Sequence, residues 1–294
     1  MDTAIISGSA LAKQIRKEVR QEVSQLAESG KRLPKLTVVL VGEDPASEVY
    51  VRNKNNACEK VGMLHETVLL PGETSMEELL GVIDGLNEDS LVDGILVQMP
   101  LPKGLDEEVV KQAVRVDKDV DGFHVENAGK VSLGKLDDAF VPCTPMGVVE
   151  LLKRNGIEIA GKHVVIVGRS NLVGKPEALL MIGEDATVTV CHSKTPDLAA
   201  MTKQADILIS AVGRKHTIRP DMIKEGCVIV DVGINRTESG ICGDVDFDDC
   251  LGKAAAMTPV PGGVGPMTIA MLLKNTMKAY QLHESKENRY RFCQ

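Results

Sequence analysis

Short apolar runs rich in β-branched residues alternate with helical stretches along most of this chain, and this alternation constrains the fold more than any other sequence feature. A strand–helix–strand repeat of this kind builds a parallel sheet with helices packed on its faces. In the first half, the successive segments are 36–41, 47–61, 67–70, 75–86 and 92–97. In the second half, they are 163–167, 175–182, 186–191, 199–204, 207–211 and 227–232. The sequence therefore predicts an α/β protein.

The length of the chain and an interruption of this repeat predict two domains around a cleft. The chain has 294 residues, whereas a typical domain has about 100–200. The repeat stops in a loop-like stretch, 116–140, and resumes after a helix that we expect to begin at Thr144 and Pro145, with the threonine as its cap. We expect a first domain over 1–143 and a second over 144–266. The C-terminal segment 267–294 would return to the first domain as a helix, with a peripheral tail from residue 283.

Composition favours an enzyme that acts on small molecules. The formal net charge is −8 and aromatic residues make up 2% of the chain, so we expect no nucleic-acid partner. The seven cysteines include no C-x-x-C pair and are typical of buried thiols in a reducing compartment. The six histidines lack metal-ligand spacing, so we expect no metal. The N-terminus lacks a secretion signal and no apolar run approaches about 18 residues, which indicates a cytoplasmic protein without a membrane span.

The segment after the strand at 163–167 has the pattern of a dinucleotide-binding turn. Gly168 lets the chain turn tightly off the strand, and Gly174 lets the following helix approach the sheet, so that free N–H groups at the helix start suit a pyrophosphate. A simple strand–helix turn is the alternative, because the loop lacks a third glycine. The next strand leads to Ser193 and Lys194 rather than to an acidic residue, which favours a 2′-phosphate and hence NADP over NAD. We therefore expect the second domain to be a doubly wound, Rossmann-like parallel sheet that binds NADP.

A second group of residues, in the first half, is typical of a reaction site. Tyr50 and Lys54 are four positions apart on a predicted helix, so the ring and the amine share one face. Gln98 ends a buried strand, at the edge where open parallel sheets bind ligands, and Asp121 lies in a glycine turn. From spacing alone, a surface lysine beside a half-buried tyrosine is the more common arrangement.

Six motifs occur in order along nearly the whole chain. They are Ser47-x-x-Tyr50-x-x-x-Lys54, Val97-Gln98-x-Pro100-x-Pro102, Lys118-Asp119-Val120-Asp121-Gly122, Pro142-Cys143-Thr144-Pro145, Gly168-Arg169-Ser170-x-x-Val173-Gly174-x-Pro176 and Pro259-Val260-Pro261-Gly262-Gly263-Val264-Gly265-Pro266-Met267-Thr268. Together they resemble the bifunctional methylenetetrahydrofolate dehydrogenase/cyclohydrolase family, in its short two-domain bacterial form. The resemblance implies oxidation of 5,10-methylenetetrahydrofolate by NADP+ and hydrolysis of the methenyl product to 10-formyltetrahydrofolate, in one shared site.

The same resemblance implies roles for individual residues. Lys54 would assist proton transfers in the hydrolysis, and Gln98 would orient its amine. Tyr50 would stack on the folate, and Asp121 would accept paired N–H bonds from the pterin. Further substrate-binding residues would be Val97, Met99, Pro261, Gly262 and Gly265. The cofactor-binding residues would be Gly168, Arg169, Ser170, Ser193 and Ile234. The family also implies a homodimer.

Three other functions stay open from the residues themselves. A dehydrogenase for shikimate or an amino acid would explain the second half, but not Tyr50, Gln98 and Asp121 together. A nucleotide-sensing regulator on the same fold would bind the dinucleotide without turnover. A relative with dehydrogenase activity alone is the nearest alternative, and Lys54 argues against it. Glu177 is a departure, because an acid in the first turn of the dinucleotide helix would oppose a phosphate if it faced the ligand.

Overall fold

The computed structural model describes the backbone of residues 2–238 and 240–291, and the side chains of 2–238 and 240–285. Its strands are β1 (Ala4–Ile5), β2 (Lys35–Val41), β3 (Leu64–Leu70), β4 (Gly94–Val97), β5 (His163–Val167), β6 (Thr187–Cys191), β7 (Ile207–Ser210), β8 (Val228–Asp231), β9 (Asn235–Thr237), β10 (Gly240–Cys242) and β11 (Ala256–Met257). Its helices are α1 (Gly8–Glu28), α2 (Pro45–Val61), α3 (Met76–Glu88), α4 (Glu107–Ala113), α5 (Val125–Ser132), α6 (Cys143–Arg154), α7 (Gly174–Gly183), α8 (Leu198–Thr202), α9 (Phe247–Cys250) and α10 (Val264–Arg291). None of the helices in this range is long and apolar enough to cross a membrane.

The described residues group into two compact units. The six-stranded unit contains residues 2–13, 131–135 and 142–271, and the three-stranded unit contains residues 14–130, 136–141 and 272–291. This division differs from the predicted limits of 1–143, 144–266 and 267–294. The first residues of the chain belong to the six-stranded unit because β1 pairs with β11, with Ala4 opposite Ala256. The C-terminal helix belongs to the three-stranded unit from residue 272 onward.

The three-stranded unit is built on a parallel sheet in the order β3-β2-β4. The central strand β2 is buried almost throughout, as expected for a parallel strand covered on both faces. α3 begins with a capping box, in which Ser75 and Glu78 satisfy each other's backbone N–H groups. The α10 part of this unit is tied in by Asn275, whose buried Nδ2 donates to Val120 O and Val141 O at 2.8 and 3.0 Å.

Asp93, a buried residue just before β4, also holds the C-terminal part of α10, up to the last side chains that the structure describes. Asp93 accepts two hydrogen bonds from the Arg32 guanidinium, at 2.7 and 2.9 Å, and lies 3.0 Å from His283 Nδ1. The second ring nitrogen of His283 lies 3.6 Å from Asp117. Burial alone would raise the pKa of Asp93, but the hydrogen bonds from His283 and Arg32 lower it below its ordinary value. This end of α10 is therefore fastened by charge, and the prediction of a peripheral tail is wrong at His283, whose side chain is 13% exposed.

The six-stranded unit is a parallel sheet in the order β1-β11-β8-β7-β5-β6. From β5 the chain moves outward to β6 and then crosses to β7 on the other side of β5. The strand order therefore reverses between β5 and β7, and in open parallel sheets ligands bind at the carboxyl end of such a reversal. An antiparallel hairpin, β9–β10, follows β8 and was not predicted from the sequence.

Local predictions also failed at three other places. α6 begins at Cys143 rather than Thr144, with Pro142 at the cap position and no side-chain cap, so the prediction that Thr144 caps the helix is wrong. The Thr144 hydroxyl instead lies 2.9 Å from the Thr268 hydroxyl. The stretch predicted as loop-like, 116–140, contains α5. Five of the six cysteines in the described range are buried free thiols, whereas Cys242 is partly exposed.

Two predictions fall outside the range that the structure describes. One is the burial of Cys293, and the other is the peripheral position of the side chains from residue 286 to the end.

Candidate active site

α2 presents the predicted tyrosine and lysine because its first turn is fixed by a cap. Asp44 is the cap residue, and its side chain accepts a hydrogen bond from Ser47 N at 2.8 Å, while Pro45 occupies the first turn. The helix continues without a break, so Tyr50 and Lys54 lie one turn apart on the same face. Tyr50 is exposed and Lys54 is half-buried. An aromatic ring on the surface is thus placed beside a partly sheltered amine.

The lysine contacts a residue from another strand. Lys54 Nζ donates to Gln98 Oε1 at 2.9 Å. Gln98 directly follows β4 and is 8% exposed. Its side-chain amide accepts from Lys54 at Oε1 and donates from Nε2 to Met99 O at 2.6 Å, and its backbone N–H donates to Val39 O at 2.8 Å. Because the strand order reverses between β2 and β4, this pair occupies the ligand-binding position of the three-stranded sheet.

The turn that carries Asp121 is organised by its neighbour Asp119. The buried Asp119 carboxylate accepts N–H bonds from Gly122, Phe123 and His124, at 3.1, 3.1 and 2.8 Å. A fourth bond comes from Asn127 Nδ2 at 2.9 Å. Donors on several successive residues fix the turn as one rigid piece. The segment also bridges to β4 at Ile95, which brings it beside the strand that ends in Gln98.

Asp121 has an environment suited to a functional carboxyl. Burial raises the pKa of Asp121 to about 6, the positive charge of Lys54 opposes this, and the negative charge of Asp119 adds to it. One small pocket is lined by Asp121 together with Val97 and Met99. The three-stranded unit therefore brings together six of the predicted site residues: Tyr50, Lys54, Val97, Gln98, Met99 and Asp121.

Two other polar residues of this region have structural roles instead. Lys118 is buried, and its Nζ donates to Leu86 O at 2.9 Å and to Asp89 O at 2.7 Å, which satisfies the carboxyl end of α3. Burial lowers the pKa of Lys118, and the charge of Arg115 lowers it further. The His124 ring nitrogen Nδ1 accepts from Glu126 N at 3.1 Å, at the start of α5.

The predicted substrate residues Pro261, Gly262 and Gly265 belong to the six-stranded unit, in the turn between β11 and α10. Gly262 O accepts from Ser9 N at 2.9 Å. A Cβ at Gly263 would lie 2.9 Å from the Thr258 Cβ, closer than real Cβ atoms come. The turn is therefore held against the first residues of α1, which belong to the same unit.

The dinucleotide turn predicted after β5 is formed by close backbone packing. Gly168 has φ +132°, and a Cβ there would overlap Ala211 O at the end of β7. A Cβ at Gly174 would overlap Gly168 O. Ser170 Oγ accepts from the N–H of Val173 at 3.1 Å, which tightens the turn into α7. Glycine is thus required at both positions for steric reasons, not only for flexibility.

The five predicted cofactor residues all lie at the carboxyl end of the six-stranded sheet. Arg169 and Ser170 are exposed in the turn after β5, and Ser193 is exposed after β6. The two turns are joined by a hydrogen bond of 2.9 Å from Gly168 N to Cys191 O. Ile234 is 46% exposed after β8. Among the residues that the structure describes, no cluster of three or more His, Cys, Asp or Glu residues is placed to hold a metal ion.

Two family models match the chain. Residues 6–121 match the catalytic domain of tetrahydrofolate dehydrogenase/cyclohydrolase, and residues 142–284 match the NAD(P)-binding domain. The bifunctional protein FolD of Chloroherpeton thalassium is 55% identical over 288 residues, covering 94% of this chain and 98% of that protein. The crystal structure of the bifunctional FolD dehydrogenase/cyclohydrolase from Campylobacter jejuni has a TM-score of 0.93 at 47% identity, covering 95% of this chain and 99% of that one. The Trypanosoma brucei enzyme, complexed with NADP cofactor and inhibitor, has a TM-score of 0.91 at 39% identity, covering 96% and 98%.

The chain belongs to the tetrahydrofolate dehydrogenase/cyclohydrolase family. The resemblance stated from the six motifs is confirmed. The predicted α/β class, with a Rossmann-like parallel sheet in the second half, is confirmed as well.

Glu177 is an unusual residue beside the dinucleotide turn of this family member. It lies in the first turn of α7 and is 0% exposed, and neither carboxyl oxygen has a hydrogen-bond partner within the described residues. Burial raises the pKa of Glu177 well above its ordinary value, which favours the neutral acid. The expected repulsion between this acid and a phosphate is therefore weakened by burial of the carboxyl group.

Sequence reasoning missed the residues that hold these turns in place. Asp119 enters the sequence analysis only as part of a motif, and no sequence pattern distinguishes Asp231 or Asp244 from other aspartates. All three are buried carboxylates that accept several backbone N–H bonds. The only available signal was an aspartate within a few residues of a glycine, and this pattern is common in ordinary turns.

Proposed function

We propose that this family member oxidises 5,10-methylenetetrahydrofolate with NADP+ and hydrolyses the resulting 5,10-methenyltetrahydrofolate to 10-formyltetrahydrofolate. The observation that carries the proposal is the 2.9 Å hydrogen bond from Lys54 Nζ to Gln98 Oε1, at a reversal of strand order and close enough to Asp121 for their charges to interact. Hydride loss from the substrate needs no protein base, because the lone pair of the substrate nitrogen expels the hydride. The hydrolysis does need proton transfers, and it therefore explains why the Lys54 amine is held in one orientation.

Substrate binding uses the polar and aromatic groups around this amine. The Asp121 carboxylate accepts paired N–H bonds from the pterin, and such charge-assisted bonds give both strength and direction. The exposed Tyr50 ring stacks on the folate. Val97 and Met99 line the pocket with apolar surface. We assign Pro261, Gly262 and Gly265 to the same substrate, on the basis of their motif.

In the hydrolysis, water adds to the methenyl carbon, the bond from that carbon to N5 of the pterin breaks, and one proton is released. Lys54 takes a proton from the attacking water and supplies a proton to N5 as it leaves. Gln98 accepts one N–H of the amine and so fixes its direction. The substrate is itself a cation, which favours the neutral amine because two positive charges repel.

The six-stranded unit has residues that fit NADP+. When bound, NADP+ accepts the hydride from the methylene carbon. The turn at Gly168 leaves no room for a side chain between β5 and β7, so that backbone N–H groups can reach a pyrophosphate. Arg169, Ser170 and Ser193 are exposed around this turn, and no acidic side chain follows β6 at the place where a ribose 2′-hydroxyl would require one. Ile234 completes the assigned cofactor residues.

We further propose a homodimer and a cytoplasmic location. The homodimer rests on the family resemblance, and the location rests on the buried free thiols, which are typical of reducing compartments. The net charge of −8 opposes binding to a nucleic-acid backbone. Light scattering on the purified protein tests the dimer, since a mass equal to one chain would contradict it.

The function is tested by following NADPH and the methenyl chromophore together, after methylenetetrahydrofolate and NADP+ are mixed with the protein. Wild type should form NADPH with little methenyl accumulation. Lys54→Ala should form NADPH and accumulate the methenyl compound. Lys60→Ala is the matched control, because Lys60 is an exposed lysine on the same helix. If wild type forms no NADPH, the folate assignment fails, whereas unchanged hydrolysis in Lys54→Ala removes the role of Lys54 alone.

A further inference from the structure

A fully buried carboxylate, that of Asp244, joins the loops that follow β7 and β8. It lies between the β9–β10 hairpin and α9 in the chain and is 0% exposed. Its hydrogen-bond donors are Ser210 Oγ at 3.2 Å, Val212 N at 2.7 Å, Gly213 N at 3.1 Å, Arg214 N at 2.8 Å and Asn235 Nδ2 at 3.0 Å. Three successive backbone N–H groups therefore converge on one side chain.

This arrangement fixes the 212–214 backbone more firmly than an ordinary turn would. A buried charge is stable only when it is compensated, and here the named N–H and O–H donors supply the compensation. Charge-assisted hydrogen bonds are roughly twice as strong as neutral ones. Moving any of the three amides would leave part of the charge unsatisfied. The loop is therefore held in one conformation.

A second carboxylate holds Asp244 itself. Asp231, at the end of β8, accepts N–H bonds from Gly233 at 2.9 Å, from Asp244 at 3.0 Å and from Val245 at 2.8 Å. A Cβ at Gly233 would overlap the Asp244 carboxylate, and a Cβ at Gly243 would overlap that of Asp231. The two carboxylates and two glycines are thus packed without spare room.

The loop held in this way lies next to the dinucleotide turn. Ala211, which precedes it, is in such close contact with Gly168 that no Cβ fits between them. In doubly wound sheets the dinucleotide crosses the point where the strand order reverses. If Ser193, after β6, takes the adenosine 2′-phosphate, the nicotinamide half lies over the ends of β7 and β8. Those ends carry the 212–214 loop and Ile234.

We propose that Asp244 is a positioning residue for the oxidation step, which holds the 212–214 backbone where the nicotinamide half of NADP+ binds. The proposal rests on the proposed function. Asp244 is buried and does not itself contact the cofactor. Its loss impairs the NADP+-dependent oxidation and spares the hydrolysis, because the hydrolysis uses no NADP+ and its proton transfers depend on Lys54 and Gln98 of the three-stranded unit. A general disruption of the six-stranded unit would impair both reactions, because Pro261, Gly262 and Gly265 of that unit are assigned to the folate.

Asp244→Asn tests the proposal, since the amide keeps the shape but points N–H groups at N–H donors. The KM for NADP+ should rise at least about tenfold, which corresponds to ~1.4 kcal/mol. The KM for the folate and the hydrolysis of added methenyltetrahydrofolate without NADP+ should stay within about twofold. Affinity for 2′,5′-ADP, which lacks the nicotinamide half, should also be unchanged. Asp249→Asn is the matched control, because it removes an exposed carboxylate five residues along the chain.

Equal losses of oxidation and hydrolysis would overturn the proposal, as would equal weakening of NADP+ and 2′,5′-ADP, or wild-type values throughout. If Asp244→Asn does not fold, Asn235→Ala replaces it. This variant removes one donor to the intact carboxylate and should raise the KM for NADP+ in the same direction by a smaller factor. No rise in Asn235→Ala would then overturn the proposal. A wild-type protein without oxidation activity would instead contradict the proposed function.

Discussion

Replacing Glu177 by methionine should stabilise the six-stranded unit. The side chain is fully buried and both carboxyl oxygens lack a hydrogen-bond partner within the described residues. Methionine has a similar length and no group that needs a hydrogen bond. The substitution therefore removes a polar group that loses its hydrogen bonds to water on folding and forms none with the described residues of the folded protein.

The expected gain in the free energy of unfolding has two parts. A buried polar group without a partner costs about 1–3 kcal/mol, so we expect Glu177→Met to raise the free energy of unfolding by about 2 kcal/mol at low pH. For a unit of this size this shifts the unfolding midpoint upward by about 4–8 °C.

The second part depends on pH. Burial raises the pKa of Glu177 well above its ordinary value of 4.5, so above pH 4.5 the unfolded chain releases a proton that the folded chain keeps. The wild-type protein therefore loses stability as the pH rises, by about 1.4 kcal/mol per pH unit, until the pH reaches the folded-state pKa. Glu177→Met has no such group, so its advantage over wild type should widen from pH 4.5 upward and then level off.

Thermal unfolding of the ligand-free protein, followed by calorimetry at several pH values from about 4 to 8, measures both parts. Glu177→Gln separates them, because it keeps a polar group but cannot ionise, so that its advantage should appear only as the pH rises. Glu225→Gln is the control for removal of an exposed carboxylate of the same unit. The reasoning is refuted if Glu177→Met lowers the unfolding midpoint, or if its difference from wild type does not depend on pH.

Three further predictions concern both units. Gly168→Ala should raise the KM for NADP+ at least about tenfold, because the added Cβ overlaps the backbone at the end of β7. Gly183→Ala is the control, because its Cβ has free space and the KM for NADP+ should not change. Initial rates of oxidation at varied NADP+ measure both KM values. The KM for the folate in both reactions should rise as the pH falls through about 6, where Asp121 gains a proton, and Asp121→Asn should show a high KM without this pH dependence. His283→Gln should destabilise the three-stranded unit most below pH 6.5. Burial lowers the pKa of His283, but its bonds to nearby carboxylates, including Asp93, outweigh burial and raise the pKa above 6.5. The difference in unfolding free energy should shrink as the pH rises through that raised pKa, and a constant difference would contradict the assignment.

The site could be predicted from sequence where its geometry is local. Tyr50 and Lys54 share a face because four residues make about one helical turn, and this holds wherever the helix packs. The turn at Gly168 follows from a strand, a glycine and a helix start within a dozen residues. The alternation of strands and helices determined the α/β class for the same reason, since its period belongs to each segment alone.

The structure was needed wherever residues distant in the chain meet. Lys54 contacts Gln98, 44 residues away, because β4 lies beside β2, and this order is not encoded in either strand. β1 joins the six-stranded sheet through a partner about 250 residues away, which moved the domain limits from their predicted places.

Burial shows most clearly what the sequence determines and what only the tertiary structure decides. The helical pattern of α7 is apolar around most of its circumference, so the sequence could place Glu177 in the first turn but not decide which side it faces. In the sequence, Asp119 and Asp244 do not differ from ordinary loop aspartates. Only the structure shows the N–H groups that donate to them. By itself, the sequence determined the α/β class and the family, and it placed Tyr50 and Lys54 on one face of a helix. The tertiary structure decided which carboxyl groups are buried, because burial and the supply of hydrogen-bond donors depend on the packing of segments that are far apart in the chain.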